Sequence, residues 1–436
     1  MLARSVSFNV AGGVGSLAIG FVASIVTARL LGPADRGVLA LITYAVVVVA
    51  EVVGLALPYA VVFLASKPGA RRGALLGNSL AWGALLAVVF VPGFWLLAEP
   101  LAEAFSKGSG EAAWVVGGLL VPLMFLDWSI HNQLFGKLRF GLLNVLFVLS
   151  RLVALASVVV LVGLLDLGVL GALLASMIAA GFMIAASLAV ILREARPELD
   201  LPLLRTMLSY GARVSVGSIF QIVNYRADLL VLQFYVPLSS VGYYVVAQLV
   251  AELALAAASA FQTSLTTLSS HYEGDERQAQ MTISSLRHQG VLTALTIGVN
   301  AAAGSLVILF AYGPDFRAAL VPMLILLPGM WFLATAKVVT GDLRGRGRPG
   351  LSSTLAGLTV FITLALDFAL IPPFGVNGAA VASLIAYTFF GLLSLAVLSR
   401  TTGVPVRTLV LPTNVEFDAY RTLWRRALGW LGRRQL

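Results

Sequence analysis

Twelve apolar stretches, each near the roughly 20 residues that carry a helix across a bilayer, run through a chain of 436 residues. They cover 6–31, 38–65, 74–98, 112–135, 140–165, 168–192, 209–236, 241–268, 290–312, 319–340, 351–371 and 377–399. Such a chain cannot hide its apolar side chains inside one soluble core. The composition agrees: 59% of residues are hydrophobic and 11% charged, where soluble domains carry about 45–50% and about 25%. A cytosolic enzyme, a disordered chain and a nucleic-acid binder with a basic surface are excluded. Strand-like alternation is absent, so the spans read as helices and not as a barrel. The first span is longer than the apolar region of a cleaved signal, and Val26-Thr27-Ala28 is a poor cleavage cue. With no cysteine, there is no thiolate metal site or Cys nucleophile.

Charge fixes the orientation. With the N-terminus inside, 21 of the 29 Lys and Arg residues fall in inner segments and the tail, and three, Arg36, Lys107 and Arg317, fall in outer loops. The inner set includes Lys67, Arg71, Arg72, Lys137, Arg139, Arg193, Arg196, Arg344, Arg346 and Arg348. The positive-inside rule then puts both termini in the cytoplasm. The longest inner connections, 193–208 and 269–289, leave no room for a soluble domain. Residues 401–436 form a basic tail in which Trp424, Leu428 and Leu431 recur at helical spacing among arginines. It reads as an amphipathic helix on the anionic inner leaflet, or as a solvated basic tail.

The chain repeats itself. Gly168-Val169-Leu170-Gly171 through Ala179 matches Gly375-Val376-Asn377-Gly378 through Ala386 at eight of twelve positions, at an offset of 207. A weaker echo pairs Gly37 with Gly242 at an offset of 205. Six spans lie between equivalent points, so the halves share an orientation and are related by an axis along the membrane normal. The expectation is an all-α membrane protein of about twelve helices in two six-helix bundles, 1–200 and 201–400, around a central cavity. Such a pair rocks to open alternately to each side, which favours a transporter over a scaffold.

Ten charges lie inside the spans: Arg29, Arg151, Arg213, Arg226 and Lys337, with Glu51, Asp127, Asp228, Glu252 and Asp367. Each costs at least about 2.5–3.5 kcal/mol against lipid at the bilayer centre, so they face protein or water. Arg213 and Lys337 lie near cytoplasmic ends, within snorkelling reach, and Asp367 lies near an outer end. Arg29, Arg151 and Arg226 are deeper. A guanidinium stays charged and presents a donor fork matched to phosphate oxygens. Converging arginines suit an anionic, phosphorylated substrate; the alternative is that they pair with Glu51, Asp127 or Asp228 and hold helices together. Asp127 and His131, four apart, share a helix face and form either a proton relay or a satisfied internal pair. No nucleotide-binding loop, H-E-x-x-H, G-x-S-x-G or metal cluster occurs. Neither a metal nor a cofactor is expected. Gly341-Asp342-Leu343-Arg344-Gly345-Arg346-Gly347-Arg348 reads as a tight inner turn.

Arg29-Leu30-Leu31-Gly32-Pro33 followed by Gly37 resembles the end of the first helix in polysaccharide-precursor flippases. These belong to the multidrug/oligosaccharidyl-lipid/polysaccharide exporter superfamily. Arg226-Ala227-Asp228 with Val241-Gly242-Tyr243-Tyr244 resembles their seventh-helix pattern. Tyr312-Gly313-Pro314-Asp315-Phe316 and Ile371-Pro372-Pro373-Phe374-Gly375-Val376-Asn377-Gly378 resemble two of their later connections. The likeness covers about 1–400. It implies no enzyme, but transfer of an undecaprenyl-diphosphate-linked oligosaccharide from the inner to the outer leaflet of a bacterial cytoplasmic membrane. In such proteins cavity arginines engage the diphosphate, which fits Arg29 and Arg226; Arg151, Arg213 and Lys337 complete the candidate set. Coupling to protons or sodium is usual among relatives, and Glu51, Asp127, His131, Asp228 and Glu252 are the groups available for coupling or charge pairing. Membrane lipids, a glycan polymerase and glycosyltransferases of the same pathway are the implied partners. The competing reading is a cation-coupled drug antiporter of the same superfamily. A membrane polymerase or glycosyltransferase would need larger outer loops.

Overall fold

The computed structural model describes residues 2–106, 110–137, 139–256, 258–259, 261–262, 265, 275–346, 348–413 and 421. Lys107, His271 and the expected tail helix, apart from Arg421, lie outside the described residues. The described residues are helical, with no strand among them. The helices are α1 Leu2–Val53, α2 Leu57–Ala65, α3 Arg72–Leu96, α4 Ala98–Ser106, α5 Glu111–Gly136, α6 Phe140–Val158 and α7 Gly168–Ile191. They continue with α8 Leu201–Tyr235, α9 Leu238–Glu252, α10 Asp275–Val299, α11 Leu320–Gly345, α12 Pro349–Thr402 and the short α13 Val406–Val410. Wider turns extend α6 to Leu164 and carry the chain beyond α10 to Tyr312. Nine stretches among the described residues are long and apolar enough to cross a membrane. The chain is an all-helical, multi-pass membrane protein.

The two longest of the nine fold back on themselves. Gly15–Val53, at 39 residues, would extend about 58 Å if straight, nearly twice a hydrocarbon core of about 30 Å. It bends at Gly32, whose φ of 72° and ψ of 175° only glycine adopts freely. Arg36 Nη2 then lies 3.3 Å from Ser24 Oγ. In a straight helix those two residues would be about 18 Å apart along the axis, so the chain folds back on itself. The same happens at Gly375, with φ 56° and ψ −131°. There a Cβ on Gly378 would stand 2.1 Å from the Leu370 carbonyl oxygen, eight residues earlier. Each bent helix therefore supplies two limbs. The third long element, α8, carries Arg205, Arg213, Arg226 and Asp228 and is not among the nine.

The repeated segments are alike in backbone as well as in sequence. Gly168 and Gly375 open them with φ of 54° and 56°. Three residues on, Gly171 and Gly378 each press against the preceding helix, where an added Cβ would meet Leu161 O at 2.9 Å or Leu370 O at 2.1 Å. The Gly37–Gly242 echo is a direct contact. A Cβ on Gly37 would lie 2.2 Å from Leu238 O, and one on Gly242 would lie 1.9 Å from Pro33 O. Each glycine thus faces the carbonyl four residues before its counterpart, the reciprocal pattern of a two-fold contact.

The chain divides into two compact units. Met1–Val245 with Leu309–Ala318 forms one. Its core gathers Ile42, Val46, Trp114, Val121 and Leu173 in one cluster. Leu57, Val61, Leu75, Phe125 and Met207 form a second, and Leu76, Ile130, Leu134 and Met183 a third. The other unit, Val246–Ile308 with Ala319–Leu436, rests on close packing of α11 against α12. Gly391 leaves room for Phe332, whose Cβ a side chain there would meet at 2.7 Å, and Gly329 lies against Leu384 and Tyr387. Small residues at such contacts let helix backbones approach where no hydrophobic gain separates protein from lipid.

The segment 193–200, expected as an inner connection, is pinned along α3. Glu198 N donates to Gly73 O at 2.9 Å. Asn78 Nδ2 donates to Asp200 O at 2.8 Å, and Asn78 Oδ1 accepts from Asp200 N at 3.0 Å. Asp200 also caps α8 by accepting from Leu203 N at 3.0 Å and pairs with Arg71. Glu194 gathers Arg72 at 3.1 Å, Arg139 at 2.6 Å and Lys137. Cations counted in the sequence as orientation signals thus fasten the chain.

Candidate functional site

In the unit that holds the N-terminus, the fold-back at Gly32 aims Arg36 inward. The sequence pattern around Pro33, Ala34 and Asp35 reads as an outer loop, but helix resumes directly after Gly32. Arg36 is half-buried. One of its nitrogens donates to Ser24 Oγ, while Nε is buried with no hydrogen-bond partner. It lies within electrostatic reach of Tyr312 and Arg226. Ser24 Oγ in turn is 3.1 Å from Tyr312 Oη. Tyr312 is buried among Phe21 and Phe316, so the motif at 312–316 serves to wedge its aromatic rings against α1.

Arg226 and Asp228 stand on α8. Asp228 is 2% exposed; it accepts a short hydrogen bond from Tyr244 Oη on α9 and another from Leu229 N at 2.8 Å. Tyr44, on the limb of α1 that follows the bend, is within electrostatic reach of both Asp228 and Arg226. Two guanidiniums, Arg36 and Arg226, therefore share a neighbourhood with one buried carboxylate and three tyrosine hydroxyls.

The remaining sequence candidates are dispersed. Arg29 is exposed, and its Nη2 donates to Phe310 O at 2.6 Å; no carboxylate takes part in that bond. Arg151 is exposed and passes Gly20, where an added Cβ would lie 3.8 Å from its Nε. Arg213 is exposed and bonds back to Ser209 O and Oγ, at 3.1 and 3.0 Å. Asp127 and His131 meet at 3.3 Å, as their spacing predicts. Glu51 is 4% exposed and lies within hydrogen-bonding reach of Ser218 on α8. Lys337 and Glu252 belong to the other unit and are half-buried, each with a polar or charged neighbour. Among the described residues no group of three or more His, Cys, Asp or Glu is placed to hold a metal.

Arg36 is the member of this cluster that sequence reasoning missed. The available signal was the offset of four from Gly32, which places it at the start of a new helix once that glycine is recognised as a turn.

A family described as "Polysaccharide biosynthesis protein" matches residues 2–266. A curated relative, the probable low-salt glycan biosynthesis flippase Agl15 of Haloferax volcanii, is 25% identical over 189 residues. That stretch is 42% of this chain and 39% of the relative, so the match spans well under half of the curated protein. Among solved structures, lipid II flippase MurJ in an inward closed conformation superposes with a TM-score of 0.73 at 16% identity, covering 93% of this chain and 89% of that one. An inward-facing multidrug resistance MATE family transporter of the MOP superfamily gives 0.67 at 13% identity, covering 89% and 94%. These two likenesses establish the fold. With more than half of its length matched, the chain belongs to the polysaccharide biosynthesis protein family.

Proposed function

We propose that this protein is a flippase, moving an undecaprenyl-diphosphate-linked oligosaccharide from the inner to the outer leaflet of a bacterial cytoplasmic membrane by alternating access. The observation that carries the reading is that Arg36, bonded to Ser24 beside Tyr312, lies within electrostatic reach of Arg226 in a membrane-spanning fold. A diphosphate brings two or more negative charges and many acceptor oxygens, which suits two guanidinium forks and adjacent hydroxyls. Family membership points the same way. Arg29 and Arg151, exposed on apolar spans, would extend the anionic path, with Arg213 nearer its cytoplasmic end; Lys337 is the candidate carried by the other unit. On this reading the chain comprises two six-helix halves, 1–200 and 201–400, with both termini and the basic tail in the cytoplasm. It would act beside a glycan polymerase and glycosyltransferases.

A test uses purified full-length protein in liposomes with a fluorescent undecaprenyl-diphosphate-linked sugar as probe. Wild-type protein should make inner-leaflet probe accessible to an external quencher. The fold likeness to a multidrug transporter favours a second reading, a cation-coupled drug antiporter. Movement of cationic dyes, with no movement of the diphosphate probe, would select that reading instead.

A further inference from the structure

Tyr312 stands on a strap. Residues Leu309–Ala318 belong to the compact unit that holds the N-terminus, yet the chain on either side of them, Val246–Ile308 and Ala319–Leu436, belongs to the other. Wide helical turns over Val307–Tyr312 bring the strap in. Gly313 turns it with a φ of 101°, open to glycine and rarely to other residues, and a tight helix over Pro314–Ala319 leads it out. It is fastened on both sides of Tyr312. Phe310 O accepts from Arg29 Nη2 on α1 at 2.6 Å, and buried Phe316 meets Tyr243 of α9 edge to face, with ring centres 6.2 Å apart. Between these anchors the Tyr312 hydroxyl is brought to Ser24 on α1.

The protons of Arg36, Ser24 and Tyr312 do not cancel; one is left over. Arg36 Nη2 donates to Ser24 Oγ at 3.3 Å and fills one of that oxygen's two lone pairs. Ser24 Oγ and Tyr312 Oη, 3.1 Å apart, share a second hydrogen bond, which only one of the two hydroxyls donates. Tyr312 is 2% exposed and lies against the rings of Phe21 and Phe316. Among the described residues Ser24 is the partner of its hydroxyl. Were Ser24 the donor, the phenolic proton would stay buried and unbonded, at the full cost of its desolvation. The phenol therefore donates. Ser24 then accepts twice, and its own proton is spare. Other hydroxyls on these helices give that proton to the carbonyl four residues back, as Thr27 does to Ala23 O at 2.7 Å, Ser79 to Leu75 O at 2.8 Å and Ser215 to Gly211 O at 3.1 Å. Ser24 makes no such bond among the described residues; its hydrogen bonds are to Arg36 and Tyr312. Half-buried, it presents a hydroxyl donor next to a guanidinium whose Nε is also without a hydrogen-bond partner. Donors linked in this way polarise one another, and their complement is an anionic oxygen.

We propose that Ser24 is a substrate-binding residue, donating its hydroxyl proton to a phosphoryl oxygen beside Arg36, and that Tyr312 on the strap is the positioning residue that keeps this proton off the helix backbone. The inference deepens the flippase reading and rests on it. Its test separates affinity from transport, using the full-length protein and the fluorescent undecaprenyl-diphosphate-linked sugar as probe. Fluorescence anisotropy in detergent gives the Kd, and the liposome assay gives the flipping rate. A hydrogen bond to a charged group is worth about tenfold in binding, so Ser24→Ala should raise the Kd by about that factor. Tyr312→Phe keeps the ring in its packing and frees the Ser24 hydroxyl to turn back to Gly20 O. It should weaken binding by a smaller factor, and in the S24A background it should change the Kd no further. A purely structural role for Tyr312 would not produce that last result. S24A or Y312F binding the probe as wild type does overturns the proposal, and so does a Y312F effect of equal size with and without Ser24. Should Y312F fail to fold, S24A, which removes a single oxygen, decides the binding role by itself. A wild-type protein that binds the probe but does not flip it overturns the flippase reading, while the Kd values still decide Ser24. A wild-type protein that does not bind the probe overturns both.

Discussion

The reciprocal contact of Gly37 with Gly242 makes a quantitative prediction about how two distant substitutions combine. Gly242→Ala places a Cβ 1.9 Å from Pro33 O. Real Cβ contacts essentially never fall under 3.0 Å, so the two backbones must part by at least 1.1 Å. Gly37→Ala, at 2.2 Å from Leu238 O, demands at least 0.8 Å. The obstructing atoms are main-chain oxygens within helices and cannot swing aside. Overpacking of this kind costs about 1–3 kcal/mol, so each single variant should melt at a lower temperature than wild type in detergent. The double variant is the informative one. The separation forced by G242A already exceeds what G37A needs, so the second alanine should add little. The double-mutant cycle should then show a coupling about as large as a single substitution. Melting curves followed by tryptophan fluorescence on the four proteins supply the cycle. Additive losses, or singles indistinguishable from wild type, would refute the reciprocal contact and with it the structural case for the duplication.

Three further outcomes follow from the same structure. Tyr244→Phe removes the hydroxyl bonded to buried Asp228; losing a hydrogen bond to a charged group costs about 1.5–3 kcal/mol, to be read from the melting temperature, while Tyr243→Phe beside it should cost less. Glu194→Gln releases Arg72, Lys137 and Arg139. With Glu194 27% exposed, each pair is worth about 0.2–1 kcal/mol, and the loss should shrink as salt is raised; a salt-independent loss would mean the network is not electrostatic. Arg36→Ala should abolish probe flipping as fully as Arg226→Ala, with Arg36→Lys restoring only part of it, because an ammonium lacks the guanidinium fork.

That the chain is a multi-pass helical membrane protein was legible because about twenty apolar residues in a row have one use, although the stretch expected at 38–65 is interrupted between Val53 and Leu57. The Asp127–His131 contact was legible because helical spacing alone brings residues four apart together. Arg36 was not. Its neighbours Pro33, Ala34 and Asp35 carry loop chemistry, and its approach to Ser24 depends on the φ of one glycine, a property the periodicity does not encode. The partnership of Glu51 with Ser218 joins residues on α1 and α8 and exists only after tertiary packing. The basic residues flanking 193–200 were legible as orientation signals, but their grip on Glu194 depends on α3, α5 and α7 ending side by side. The segments that echo each other in sequence also open on glycines of similar φ at 168 and 375, and Gly37 and Gly242 lie in contact.

The central claim is that paired guanidiniums on α1 and α8 grip the diphosphate of a lipid-linked glycan. Its most direct measurement is the flipping rate of the fluorescent undecaprenyl-diphosphate-linked sugar in liposomes carrying wild-type, R36A or R226A protein, each shown by its melting curve to be folded. The account predicts rapid flipping by wild type and loss to the protein-free background in both variants. Wild-type rates in folded R36A and R226A would contradict it.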